Sequence, residues 1–388
     1  MKPVNELTNQ FTESVIRMMT RICLEAGGIN LSQGFPDFDA PEEIKEAAVR
    51  AIREGHNQYA ITFGQPPLRE AIARRLAAYN GITCDPATEI TVCCGATEAM
   101  MSALKALINP GEEVVIFEPF YENYGPDSLL SGARPRYVTL RPPDWSFDPA
   151  ELAAAFNEHT KAVVMNTPNN PTGKVFSREE LSQIGELCQK WDAYLVSDEI
   201  YEYILYDGHT HVSPGSLPGL ADRTLTINSV SKTYSATGWR VGWVVAPAEV
   251  TAAIRKVHDF LTVGAPAPLQ AAAAVALDLP AAYYEGLARR YLAARDLLFG
   301  ALDRAGFRPY LPRGAYYIMT EVDHLMKHYG VSDDFSFAKR LIEVCGVASV
   351  PGSSFYAEPA KGHHQVRFCF CKKTETLEAA AARLATVG

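Results

Sequence analysis

An α/β fold is predicted for this chain, with a large domain on a mostly parallel central sheet flanked by helices and a smaller α+β domain beside it. Three observations predict it. Short apolar runs alternate with amphipathic stretches through the middle of the sequence, the pattern of βαβ units. Polar segments follow directly on several of those runs. The length, 388 residues, is enough for two packed units.

Taken in order, the first forty residues are polar and then loop-like, ending in Ser32–Gln–Gly–Phe–Pro–Asp–Phe–Asp–Ala–Pro41. They read as an arm that packs on another part of the molecule. Residues 1–45 are assigned to this arm and part of the small domain, 46–282 to the large domain and 283–388 to the small C-terminal domain. Cys94–Gly–Ala–Thr97 links a strand to a helical period from Glu98 to Ile108, which Asn109–Pro–Gly111 stops and turns. Glu113–Phe117, Ala162–Met165, Ala193–Val196 and Gly242–Ala246 are short, nearly continuous apolar runs, as expected of strands buried on both faces. Arg178 to Trp191 is amphipathic at helical spacing. Leu225–Ser229 alternates and reads as a strand entering a loop. From Ala281 to Ala305 runs a helical pattern long enough to bridge two domains, and short strands and helices alternate beyond it.

Bulk properties exclude several classes. A net charge of −9 argues against nucleic acid as the main partner. No apolar run reaches eighteen residues, so no membrane span is expected. The N-terminal residues lack the apolar core of a signal peptide. The eight cysteines form no CxxC pair and no zinc-finger spacing with histidine, so free thiols in a cytoplasmic core are expected and no metal.

The segment Ser229–Val–Ser–Lys232–Thr–Tyr–Ser–Ala–Thr–Gly–Trp–Arg240 carries the strongest chemical signal. A lysine leaving a buried strand is desolvated, which lowers its pKa and makes it a nucleophile able to form a Schiff base. Three more polar segments follow strands: Asn166–Thr–Pro–Asn–Asn170–Pro–Thr–Gly173, Asp198–Glu–Ile–Tyr201, and Cys94–Gly95–Ala96–Thr97 at a helix start, a ready anion site. Ligands of parallel α/β sheets bind beyond the carboxyl ends of the strands.

In this order and spacing, these segments resemble the class I/II aminotransferases, the fold type I enzymes dependent on pyridoxal phosphate (PLP). Ser32–Gln–Gly–Phe–Pro–Asp–Phe, Asn57–Gln–Tyr59 and Val366–Arg–Phe–Cys–Phe370 complete the set, so the resemblance spans nearly the whole chain. It is strongest toward the branch that includes kynurenine aminotransferase, glutamine transaminase K and methionine aminotransferase. Bacterial members labelled aspartate aminotransferase share the pattern.

The resemblance implies a role for each residue. Lys232 would bind PLP covalently and then move the proton between the substrate's Cα and the cofactor's C4′. Asp198 would pair with the pyridinium nitrogen, which makes the ring an electron sink. Asn170 and Tyr201 would hydrogen-bond the ring's phenolic oxygen, with Tyr121 on one ring face and Ile200 on the other. Gly95, Ala96, Thr97, Ser229 and Arg240 would hold the phosphate, joined by Tyr59 from the neighbouring subunit of a homodimer. Leu261–Pro266 would cross the same interface. Arg367 would clamp the α-carboxylate, with Gly34 and Asn170 adding hydrogen bonds. The implied reaction is ping-pong transfer between amino acids and 2-oxo acids through pyridoxamine phosphate. Tyr121, Tyr124, Tyr316, Tyr317 and Phe355 are candidates to line a pocket for an apolar or aromatic side chain, and Arg17 or Arg21 to meet a distal carboxylate. A PLP-dependent β-lyase acting on cystathionine or cysteine S-conjugates would use the same lysine, aspartate and arginine.

Overall fold

The computed structural model of the chain describes residues 2–387. After β1 (Ile29–Asn30) come the strands of the central sheet: β2 (Ile90–Cys93), β3 (Glu113–Glu118), β4 (Arg134–Thr139), β5 (Thr160–Asn166), β6 (Tyr194–Asp198), β7 (Thr224–Ser229) and β8 (Gly242–Val245). Their spatial order is β2-β8-β7-β6-β5-β3-β4. From β7 to β4 all neighbours are parallel, whereas β8 runs antiparallel to both β7 and β2. The predicted mostly parallel sheet is therefore present, with β8 as its one reversed strand.

Both faces of this sheet are covered, which explains why most of its inner strands read as apolar runs; β7 alternates in sequence although all six of its residues are buried. Val115, Val163 and Leu195 face one way and pack on Leu181, Ile184 and Cys188 of the helix Arg178–Lys190. Val114, Ile116, Val164 and Val196 face the other way, toward Ala103, Leu104 and Leu107 of the helix Ala96–Leu107 and Ile254 of the helix Ala248–Thr262. Ser177 and Glu180 close a capping box that starts the first of these helices. β4, at the sheet edge, instead alternates exposed and half-buried positions from Arg134 to Tyr137.

The rest of the chain forms β9 (Arg308–Pro309), β10 (Tyr317–Glu321), β11 (Val347–Ala348), β12 (Val350–Pro351) and β13 (Gln365–Cys369). Four of these make an antiparallel sheet in the order β12-β13-β10-β9. The helix Ala281–Arg304 spans 24 residues, about 36 Å at 1.5 Å per residue. Its Leu287, Tyr291, Leu298 and Leu302 share one cluster with Val230 and Tyr234 on one side and Phe307, Phe337 and Phe368 on the other. It thus packs against residues around both sheets.

The arm differs from expectation. It holds a helix, Val15–Glu25, capped by Ser14, whose hydroxyl accepts from the Arg17 amide. Ile16, Met19 and Cys23 recur at helical spacing and are buried. Met19 and Cys23 pack on Ala338, Ile342 and Ala348, while β1 pairs in parallel with β11. The polar residues between them hid this period in a stretch read as polar and then loop-like. All eight cysteines are free, and no helix is long and apolar enough to cross a membrane among the described residues.

Candidate active site

The ends of β2, β5, β6 and β7 converge on one cavity, joined by the start of β8 because that strand runs in reverse. Lining it are Gly34, Ala96, Thr97, Tyr121, Asn170, Asp198, Ile200, Tyr201, Lys232, Arg240 and Arg367. The sequence motifs therefore meet at the switch from strand to loop, where parallel sheets bind ligands.

One end of the cavity is built for an anion. Gly95, at φ 83°, precedes the helix Ala96–Leu107, whose first N–H groups are unpaired within the helix. A side chain at Gly95 would collide with the Arg240 guanidinium, and one at Gly242 with the Gly95–Ala96 backbone. Arg240 itself adopts φ 55°, a left-handed conformation uncommon outside glycine that often marks functional sites. Its guanidinium donates to the Thr237 and Cys94 carbonyls at 3.1 and 3.4 Å. Arg240 has no carboxylate partner among the described residues.

At the centre, Asp198 ends β6 opposite Asn166 of β5. Its Oδ2 accepts from the Tyr124 hydroxyl at 2.7 Å, and its Oδ1 from the Ile200 amide at 3.2 Å. Burial pushes this carboxyl up to about 6, against the opposing effect of the Tyr124 hydrogen bond. Asn166 donates to the Asp198 carbonyl at 2.8 Å and accepts from the Asn170 amide at 2.6 Å, which locks the two loops together.

The other wall holds Arg367. β13 pairs with β10 and β12, and its central residue is fully buried. Arg367 Nη1 donates to Asn170 Oδ1 at 2.7 Å and Nη2 to the Ser32 carbonyl at 2.6 Å. The guanidinium lies 4.2 Å from the Tyr317 ring centre and 4.8 Å from that of Phe355. Its Nε is buried without a partner, and no carboxylate pairs with it among the described residues. A buried cation left so incompletely satisfied is costly unless a ligand completes it.

Lys232 lies in the short helix Val230–Thr233 that Ser229 caps. Its Nζ donates to the Gly34 carbonyl at 3.0 Å, and that carbonyl also accepts from the Tyr316 hydroxyl at 2.9 Å. Gly34 permits this approach, since any Cβ there would overlap the Tyr317 hydroxyl. Burial lowers the Lys232 amine to about 8. The neutral amine, the form that attacks carbonyls, therefore increases as pH rises through about 8. The rate at which the apoprotein captures an added aldehyde should rise with pH and level off above that value. A rate that stays flat across it would contradict the lysine's assigned reactivity.

Two expected positions change. Tyr316 and Phe355, candidates for the pocket wall, are fully buried behind it, leaving Tyr121, Tyr124 and Tyr317 of the five candidates on the wall beside Tyr201. Both lost the wall because their rings fill the core against Tyr201, Tyr291 and Arg367. Ser229 is buried and its hydroxyl accepts from the Ser231 amide, while Ser231 lines the cavity. Tyr59 lies outside this cavity, 89% exposed, beside a second hollow formed with Val263–Pro268. Arg17 reaches the cavity, whereas Arg21 pairs with Glu13 at 2.9 Å. Asn166, Asp127 and Ser231 also line the cavity though no role was expected of them, Asn166 and Ser231 lying inside the segments singled out above. The first lies three residues before the Asn169–Asn170 turn and the last one residue before the lysine.

Comparison with known proteins agrees with this geometry. The family model for class I and II aminotransferases matches residues 26–384. The chain is 38% identical to kynurenine–oxoglutarate transaminase 1 of Homo sapiens over 393 residues, covering 94% of this chain and 93% of that protein. It matches the structure of N-succinyldiaminopimelate aminotransferase from Mycobacterium tuberculosis with a TM-score of 0.95 and 37% identity, over all of both chains. YbdL from Escherichia coli, described as having a methionine aminotransferase function, gives a TM-score of 0.93 and 37% identity over 99% of each chain. The chain belongs to the class I and II aminotransferases and is an enzyme that transfers amino groups.

Proposed function

We propose that this aminotransferase moves the α-amino group of an amino acid to a 2-oxo acid by a ping-pong route with PLP as cofactor. The single observation that carries this reading is Arg367, a buried guanidinium with an orphaned Nε and no carboxylate partner among the described residues, on the wall of the cavity that holds Lys232. An α-carboxylate supplies the missing anion.

The residues present fit PLP. The cradle of Gly95, Ala96, Thr97 and Arg240, with Ser231 on the cavity wall and Ser229 behind it, suits a phosphate dianion. Asp198, raised by burial and lacking a cation at salt-bridge distance among the described residues, suits a protonated ring nitrogen. Asn170 and Tyr201 suit the phenolic oxygen, and Tyr121 and Ile200 the two ring faces. Bound there, the cofactor supplies an electron sink for a bond broken at the substrate's Cα.

The chain's own groups do the rest. Arg367, Asn170 and Gly34 orient the carboxylate. Lys232, lowered to about 8 by burial, takes the proton at Cα and delivers it at C4′. Asp198 holds the ring nitrogen's proton, and Tyr124 fixes the carboxylate that does so. Asp198→Asn keeps the shape and removes the charge. It should slow the half-reaction by roughly 100-fold or more, as for other preorganised electrostatic groups. Cofactor content should stay near wild type, measured by absorbance alongside single-turnover kinetics.

Tyr121, Tyr124 and Tyr317, with Arg17 at the arm side, support aromatic, apolar or acidic donors such as aspartate. A cytoplasmic homodimer accords with eight free cysteines and with the exposed Tyr59, Phe260, Leu261 and Val263. The large unit is assigned residues 46–282, with 1–45 and 283–388 forming the smaller one. The test is the absorption spectrum of the holoenzyme mixed with single amino acids and no oxo acid. A shifted cofactor band with release of the matching 2-oxo acid supports transamination and ranks donors. An unshifted band with pyruvate and ammonia released from a cysteine S-conjugate makes the protein a β-lyase.

A further inference from the structure

Behind the anion cradle lies an ion pair to which the proposed mechanism gives no role. His258, fully buried on the helix Ala248–Thr262, places Nδ1 3.1 Å from both Glu98 carboxylate oxygens and Nε2 2.7 Å from the Thr62 carbonyl. The Thr62 carbonyl only accepts, so Nε2 carries hydrogen. Glu98 already accepts from the Cys94 amide at 2.9 Å and from the Ser102 hydroxyl, so it too faces Nδ1 as an acceptor. Both ring nitrogens donate, and His258 is an imidazolium. Burial opposes this charge, but Glu98, the Thr62 carbonyl and Asp259 outweigh it and hold the histidine above its usual range. Glu98 in turn is held below the usual carboxylate range by His258, Ser102 and the Cys94 amide, which outweigh its burial. Cys93 lies close enough to complete a three-residue cluster. With both histidine nitrogens engaged by protein acceptors, however, the cluster is an ion pair and not a metal site.

Its position gives it a use. Glu98 stands in the first turn of the helix whose N-terminus faces the anion cradle, three residues after Gly95. Without a countercharge, its carboxylate would repel a phosphate held there. Its hydrogen bond to the Cys94 amide also sets the loop that the phosphate contacts. We propose that His258 is a positioning residue for phosphate binding: as an imidazolium it neutralises Glu98 and fastens the Cys94–Thr97 loop to the chain segment at Thr62. This rests on the reading of that cradle as the PLP phosphate site.

The measurement is the dissociation constant of the apoenzyme for PLP, and for pyridoxal, which lacks the phosphate. H258Q should weaken PLP binding about 10-fold or more and leave pyridoxal binding unchanged. E98Q/H258Q, which removes the unneutralised carboxylate, should recover most of the loss. Because the histidine's pKa is raised in the fold, the benefit is present below that pKa and is lost as pH rises through it. PLP affinity of the wild type should therefore fall on the alkaline side, and this fall should be absent in the double variant. Equal PLP affinity in H258Q and wild type overturns the proposal. So does equal loss of PLP and pyridoxal, or a double variant no better than the single one. Should H258Q not fold, the alkaline limb in the wild type against E98Q/H258Q decides. Failure of the wild type itself to bind PLP would instead refute the cofactor reading.

Discussion

Lys232→Ala should lower transamination on the order of 10⁴-fold, the upper end for a positioned proton-transfer group. Two functions are lost together, the covalent attachment of the cofactor and the base at Cα. The variant should still hold PLP through the Arg240 cradle and Asp198, since none of their contacts involves the lysine amine. Its cofactor absorbance should therefore resemble that of the free aldehyde, and denaturation should release PLP without any borohydride-stable adduct. An added primary amine should restore part of the rate by replacing the missing base. Turnover near the wild-type level would remove Lys232 from the chemistry and with it the proposed mechanism.

Arg367→Met has two opposed consequences. The side chain's Nη atoms are tied to Asn170 and the Ser32 carbonyl, but Nε is orphaned and the charge unpaired. Replacing the cation with an apolar group of similar size removes the cost of burying an unpaired charge but leaves the Asn170 Oδ1 and the Ser32 carbonyl without their donor. The two effects oppose each other, and the melting temperature of the apoprotein should stay near that of wild type. Substrate binding should suffer. Truncating one partner of a buried charge pair costs about 2–5 kcal/mol, or at least 30-fold. The loss should appear in KM for both amino and oxo acids more than in kcat, because the carboxylate is bound in ground state and transition state alike. A variant that instead loses cofactor, or melts well below wild type, would mean that Arg367 serves the fold rather than the substrate.

Much of the site was legible in the sequence because the features that reveal it are short-range. Asp198 and the Gly95 turn each sit at the end of an apolar run, Lys232 just beyond an alternating one, and burial next to a polar group shows in a few residues. The strand runs themselves were legible to within one or two positions, since both sheet faces are covered. Other features leave no such local trace. The direction of β8 is not encoded in its periodicity, because an apolar run reads the same either way. The arm helix was masked by Arg17, Thr20, Arg21 and Glu25 interleaved with its buried stripe. Tyr124 was read as a side-chain contact, yet it binds Asp198 from 74 residues away. His258 lies 160 residues from Glu98, and no spacing rule connects them.

The reversal of β8 also divides the labour of the chain between near and far. Because the strand re-enters the sheet at the end that β7 leaves, Lys232 and Arg240 belong to one compact excursion between neighbouring strands. Their mutual placement involves little loop closure. Arg367 is different: its partners Asn170 and Ser32 lie 197 and 335 residues away. Grip on the cofactor's phosphate thus draws on segments of the large sheet alone, the Cys94–Thr97 loop and Arg240, whose contact at Cys94 spans 146 residues, whereas grip on the substrate requires the first and last parts of the chain to have come together. Affinity for the amino acid is accordingly the stricter reporter of a finished fold, and damage at either terminus should be felt by the substrate before it is felt by the cofactor.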